Sequence, residues 1–137
     1  MSWTVEHIPE KGLALIVATG EIADEDGRAQ VVETIRLLNE HQLNLVLVDC
    51  SDAETKASLP GLYHLPDYAT ELGAPWNLRI AVVVSKTRVQ IEKFHFFELV
   101  FRNAGYDVRL FDDRAGAEGW LWQSPAVRTV ANHFASA

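Results

Sequence analysis

Two short apolar runs, Leu45-Val46-Leu47-Val48 and Ile80-Ala81-Val82-Val83-Val84, constrain this chain more than any other feature. Each ends in polar residues, Asp49-Cys50-Ser51-Asp52 after the first and Ser85-Lys86 after the second. Runs this short that lack polar alternation read as strands covered on both faces, the pattern of a parallel sheet. Parallel neighbours need a crossover between them, and Leu59 to Leu72 supplies a helical one, made irregular or broken by Pro60, Gly61 and Pro66.

The flanking segments extend the same scheme. Trp3 to Ile8 alternates weakly, Leu13 to Ala18 is apolar, and Pro9-Glu10-Lys11-Gly12 between them predicts an antiparallel hairpin. Val31, Ile35 and Leu38 repeat at helical spacing behind Asp24-Glu25-Asp26, so a helix is expected from about Asp24, as N-cap, to His41. Phe94, Phe97 and Phe101 share one face of a helix from about Thr87 to Ala104, where Glu98 is placed to pair with Arg102 and Gly105 is a stop. Tyr106 to Phe111 alternates and reads as an edge strand. Asp112 or Asp113 then caps a short helix carrying Ala117, Trp120 and Leu121. Ser124-Pro125 opens a last short helix with Val127, Val130 and Phe134 on its stripe, and Trp122 joins these in a surface patch suited to a partner or a second copy of the chain. The expected order is ββαβαβαβα: one α/β domain with a single mixed, mostly parallel sheet, an antiparallel first strand and helices packed on it. Residues 1–124 form the domain, and 125–137 are a short helix or tail of it.

Composition narrows the function classes. At 137 residues the chain is the size of one domain with one core. The single cysteine, Cys50, forms no internal bridge, and no basic-then-apolar leader or membrane-length apolar run occurs. A cytoplasmic protein without membrane insertion is expected. The formal net charge is −7, and Lys86, Arg88, Lys93 and Arg102 are dispersed, so nucleic acid is not an expected partner. The five histidines are scattered without a His-x-x-x-His pair, and no nucleotide-binding glycine loop or nucleophile elbow is present. No metal, cofactor or catalytic residue is assigned.

Binding chemistry concentrates in the middle of the chain. Asp49-Cys50-Ser51-Asp52 is expected as a turn beyond the carboxyl end of a parallel strand, where ligands bind in open α/β sheets. Cys50 sits there between acidic neighbours that raise its pKa, which argues for a half-buried thiol over a nucleophile. Tyr63, His64, Asp67 and Tyr68, with Lys56 upstream, place polar aromatics at the same end, either lining a pocket or covering apolar surface. Ser58 is a natural helix N-cap.

Gly20-Glu21-Ile22 before an acidic helix start, Leu45-Val46-Leu47-Val48-Asp49, Arg79-Ile80-Ala81-Val82-Val83, Asn103-Ala104-Gly105, and Val108-Arg109-Leu110-Phe111 before Ala117 and Trp120-Leu121 occur in an order that resembles the STAS domain. The likeness is greater to the SpoIIAA-like branch of the STAS and Sec14-like grouping, and it reaches to about Trp122. The resemblance implies a regulatory protein-interaction module like the anti-sigma-factor antagonists, which take a phosphate on a serine at a helix start. Lys56-Ala57-Ser58-Leu59-Pro60-Gly61-Leu62 occupies that region, with Ser58 as the phosphoacceptor counterpart. The acidic residue that precedes the family's serine is absent, and Leu-Pro intervenes before Gly61. The partner or ligand surface expected on this basis comprises Asp49, Ser51, Asp52, Lys56, Gly61, Tyr63, His64 and Tyr68. The occupants it implies are a protein partner, homodimerisation included, or a small apolar ligand of the kind a Sec14-like carrier holds.

Overall fold

The computed structural model of the chain describes residues 2–84 and 88–123. Five strands, β1 (Ser2–Ile8), β2 (Leu13–Ile22), β3 (Leu45–Thr55), β4 (Arg79–Val83) and β5 (Asp107–Phe111), form one sheet in the order β1-β2-β3-β4-β5. The first pair is antiparallel and the other three are parallel. Gly12 closes the hairpin at φ +64, a left-handed conformation that glycine adopts without strain, and donates its N–H to the Ile8 carbonyl at 2.9 Å. The helices are α1 (Asp24–His41), α2 (Leu59–Glu71), α3 (Arg88–Asn103) and α4 (Arg114–Leu121). This is the mixed sheet with antiparallel first strand expected from the sequence. The proposed helix after Ser124 lies outside the described residues.

The two faces of the sheet are covered unequally. Side chains from α1, α2 and α3, among them Leu38, Leu65 and Phe101, pack with Ala14, Val46, Ile80 and Val108 in the larger core. On the opposite face, among the described residues, α4 alone brings Ala117, Trp120 and Leu121 against Leu13, Leu47, Ala81 and Val83. β4, buried at every position, is the strand sandwiched between both.

Four local expectations are corrected. Asp49 to Asp52 is not a turn: β3 runs on to Thr55, because Gly20, Glu21 and Ile22 of β2 continue to pair with Ala53, Glu54 and Thr55. Two residue steps on β2, from Val17 to Thr19, match three on β3, from Asp49 to Asp52, so β3 carries a bulge at Cys50–Ser51. Below it Val46, Val48 and Cys50 face the larger core, whereas above it Ala53 is the inward residue and Asp52 and Glu54 are exposed. The helical crossover α2 is unbroken: Pro60 sits in the first turn, where its missing N–H costs nothing, and the Thr70 hydroxyl donates to the carbonyl of the internal Pro66 at 3.0 Å. Ala23, not Asp24, occupies the N-cap of α1, its amide donating to the Asp26 carboxylate at 2.9 Å. Arg102 does not pair with Glu98; its Nε donates to the Val108 carbonyl at 2.9 Å and ties α3 to β5.

Candidate functional site

The carboxyl ends of β2 and β3 meet the N-termini of α1 and α2, and a compact polar unit forms there. Ser58, the N-cap of α2, accepts from the Gly61 amide at 3.0 Å and donates its own hydroxyl to Asp24 Oδ2 at 2.8 Å. Asp24 Oδ1 accepts from the Ser58 amide at 2.9 Å. The carboxylate left free by the shifted cap of α1 therefore caps α2 across the gap, between two positive helix ends. Gly61 is required by this contact: a β-carbon there would stand 2.3 Å from Asp24 Oδ1 and 2.7 Å from its Cγ. Sequence reasoning found Ser58 and Gly61 but assigned Asp24 to its own helix. The acidic helix start was visible, yet its aim was not.

The remaining expected residues divide. Tyr63 and His64 are exposed on α2 and touch edge to face, with ring centroids 5.2 Å apart. Tyr68 is half-buried further along the helix. Lys56 is exposed and pairs with Glu54 at 2.8 Å, which raises the lysine pKa. Asp52 is exposed on β3. Asp49 and Ser51 do not join the Ser58 unit: Asp49 Oδ1 accepts from the Ser51 amide at 3.0 Å and hydroxyl at 2.6 Å, and Oδ2 accepts from Arg114 Nε at 2.7 Å on the α4 side. These bonds stabilise the bulge and dock the start of α4.

Burial raises the Asp49 pKa, but the Ser51 hydroxyl and amide and the Arg114 guanidinium together outweigh it and hold the carboxyl below its ordinary value. A depressed folded-state pKa contributes stability above the unfolded-state value of about 3.9, and that contribution is lost as pH falls through the folded-state value. Asp49→Asn should therefore be less stable than wild type at neutral pH, with the gap closing on acidification. Urea midpoints of both proteins between about pH 3 and pH 7 test this, and a gap that does not change with pH refutes it.

Cys50 projects to the other face, into the larger core. Burial, and then the negative charge of Asp49, push its pKa up to about 12. The thiol is neutral at physiological pH and carries none of the thiolate needed for attack. Folded protein should react with iodoacetamide at least about a hundredfold more slowly than urea-unfolded chain. Comparable rates, measured by mass, would contradict the core-facing, half-buried placement and the raised pKa.

Beneath the Ser58 unit the larger core is not filled. A cavity of about 150 Å³ lies between the sheet and α1, α2 and α3, walled mainly by Ile16, Val48, Leu62, Leu65, Phe94 and Phe97. Its wall reaches Ile22, Asp24, Ala57 and Gly61 at the carboxyl ends of the strands, so the cavity and the polar unit share two residues. Gln30 and Thr34, one turn apart on α1, also line it. Gln30 Nε2 and Thr34 Oγ1 are buried and have no hydrogen-bond partner among the described residues. A buried polar group left so costs about 1–3 kcal/mol each. Lys93, another lining residue, donates to the Thr55 carbonyl at 3.2 Å. The sequence signal for the pair was present: Gln30 and Thr34 are in phase with Val31, Ile35 and Leu38 on the inward face of α1.

Among the described residues no helix is long and apolar enough to cross a membrane. No family model matches the sequence, and no curated protein matches it. Solved structures do. An uncharacterized protein of the DUF3478 family from Shewanella loihica PV-4, with a SpoIIAA-like fold, is 16% identical, with a TM-score of 0.57 over 88% of this chain and 92% of that one. The anti-sigma factor antagonist SpoIIAA in its unphosphorylated form is 9% identical, with a TM-score of 0.46 over 84% of this chain and 92% of that one. The first likeness, together with a five-stranded sheet whose first pair alone is antiparallel, establishes that this chain is a domain of SpoIIAA-like fold.

Proposed function

We propose that this chain is a non-enzymatic, cytoplasmic regulatory module that binds another protein through the exposed head of α2, with Ser58 as its modifiable position. The arrangement around Ser58 carries the reading. Its hydroxyl is exposed at a helix N-terminus, held by Asp24 and Gly61, and Leu59 and Tyr63 beside it are 56% and 59% exposed. Those two side chains are one turn apart on one face of α2. Exposed Glu21, Glu25, Asp52 and Glu54 surround the strand ends, so the complementary partner surface is basic around an apolar centre. A kinase acting here transfers the terminal phosphoryl group of a nucleoside triphosphate to Ser58 Oγ, and the hydroxyl proton leaves. The phosphoester loses the hydrogen that Asp24 accepts and sets about two negative charges beside that carboxylate. Modification thus both recharges and loosens the docking face.

Intact-mass measurement of protein purified from its own host, wild type beside Ser58→Ala, tests the switch. One added phosphoryl group in wild type and none in the variant is the expected result. Unmodified wild type under every growth condition removes Ser58 from the reading. A partner cross-linked by wild type should be lost with Tyr63→Asp, and retention would relocate the docking face.

The cavity favours a second reading, a carrier or sensor of a small apolar ligand, which the same mass measurement under native conditions would report as a co-purified molecule.

A further inference from the structure

We infer that the cavity under α1, α2 and α3 admits a compact, uncharged molecule without hydrogen-bonding groups, and that the Asp24–Ser58 contact is the catch on its entrance. The inference rests on the second reading above, to which it adds the class of ligand and the way in.

Size and wall chemistry set the class. A cavity of about 150 Å³ lined by aliphatic and aromatic side chains accommodates a benzene-sized molecule. An acyl chain of about ten carbons or more is too large for it. The charged side chains that reach the wall are bonded to protein, the Asp24 carboxylate to Ser58 and the Lys93 ammonium to the Thr55 carbonyl. Gln30 Nε2 and Thr34 Oγ1 are buried and present no surface to an occupant, and Cys50 is a neutral thiol. An ionised or hydroxylated ligand would give up its water there for nothing in return.

Exposure along the cavity locates the entrance. Toward the amino ends of the strands the wall is Ala69, Leu78 and Phe101, each 3% exposed or less. At the other end Asp24, Gly27 and Gly61 are half-buried, so the cavity comes nearest to solvent where α1 and α2 begin. Gly61 packs against the Asp24 carboxylate, and one turn further along α1 a β-carbon on Gly27 would stand 4.0 Å from Leu65 Cδ1. The two glycines put no side chain across the opening. What spans it is the pair of bonds from the Ser58 amide and hydroxyl to Asp24, at 2.9 and 2.8 Å. Both bonds are exposed to water, which makes this end the easiest place for α1 and α2 to part.

Benzene and phenol, which differ by one hydroxyl, test the class, and the exchange rate of benzene tests the entrance. NMR titration of protein labelled at its leucine and valine methyls reports both. Wild type should bind benzene, and phenol at least about tenfold more weakly, because the phenol hydroxyl has no partner in the wall. Asp24→Ala, which removes both bonds to Ser58, should raise the association and dissociation rates of benzene together, by about tenfold. Ser58→Gly retains a residue well tolerated at an N-cap and should raise both rates in the same direction, less steeply. Phenol bound as tightly as benzene would overturn the class of ligand. Rates unchanged in both variants, or a faster dissociation alone, would overturn the catch and leave the site. Binding of neither compound by wild type would overturn the carrier reading on which the inference rests.

Discussion

Replacing Arg79 with alanine should remove about 3–5 kcal/mol of stability, the cost of breaking a buried charge network from one side. Arg79 opens β4 and is 3% exposed. Its Nη2 donates to the Trp120 carbonyl at 2.7 Å, and its Nη1 to the carbonyls of Leu121 and Gln123 at 2.8 and 2.9 Å. Nε lies 3.4 Å from Asp107 Oδ2, and the guanidinium stacks 4.4 Å from the centre of the Trp120 ring. The acceptors are carbonyls of the last two residues of α4 and of Gln123 just beyond it, where regular helical hydrogen bonding ends. One planar cation thus caps the helix, seats its tryptophan and joins both to the sheet. An eight-residue helix has little stability of its own, so α4 depends on this anchor. Arg79→Lys should recover only part of the loss, because a single ammonium cannot match three divergent carbonyls and the ring face together. Urea unfolding followed by tryptophan fluorescence measures both variants. A loss under about 1 kcal/mol for Arg79→Ala would mean that the network contributes little to holding α4.

Leu47→Ala should cost about 3–5 kcal/mol, near the top of the range for a buried leucine. Leu47 is fully buried in the core under α4, packed with Leu13, Val83, Ala117 and Trp120. Nothing around it has slack to close over the missing atoms. Leu65→Ala, on the opposite face, should cost only about 2 kcal/mol, because the side chain already borders the cavity and makes fewer contacts to lose. The comparison is between two leucines of the same domain, so denatured-state effects largely cancel. Equal losses in urea titrations would indicate that the space beside Leu65 closes in solution.

How much of this was legible beforehand differs by element. The apolar runs at Leu45–Val48 and Ile80–Val84 and the phenylalanine spacing of α3 announced the architecture, because burial on two faces and helical periodicity both write themselves into hydrophobicity. The upper half of β3 was hidden for the same reason in reverse. Asp49-Cys50-Ser51-Asp52 is polar and its alternation slips at the bulge, so neither signal survives, while the pairing that makes it a strand comes from Gly20–Ile22, far away in sequence. Ser58 was readable as a cap, since capping is local. Its partner Asp24 was not, since the bond spans 34 residues. Arg79 stands just before the apolar run Ile80–Val84, and only the position of α4 reveals it as a core residue. The cavity itself had no signature, being a property of how three helices fail to fill one sheet face; only Gln30 and Thr34 hinted at it, as polar residues in phase with the inward stripe of α1.

The strand order has a consequence for how the protein is made. Because neighbours in the sheet are also neighbours along the chain, each strand leaving a ribosome finds its pairing edge already synthesised. No strand has to be inserted between two that have already closed, and the growing domain adds at one side only. Arg79 is the exception. The carbonyls it must satisfy emerge 41 to 44 residues after it, so β4 can take its place beside β3 well before its first residue has the acceptors it is folded around. The last turn of α4 is therefore the step that completes this network, and a chain stalled before Trp120 would hold a nearly finished sheet in which Arg79 has Asp107 beside it but none of its three carbonyl acceptors.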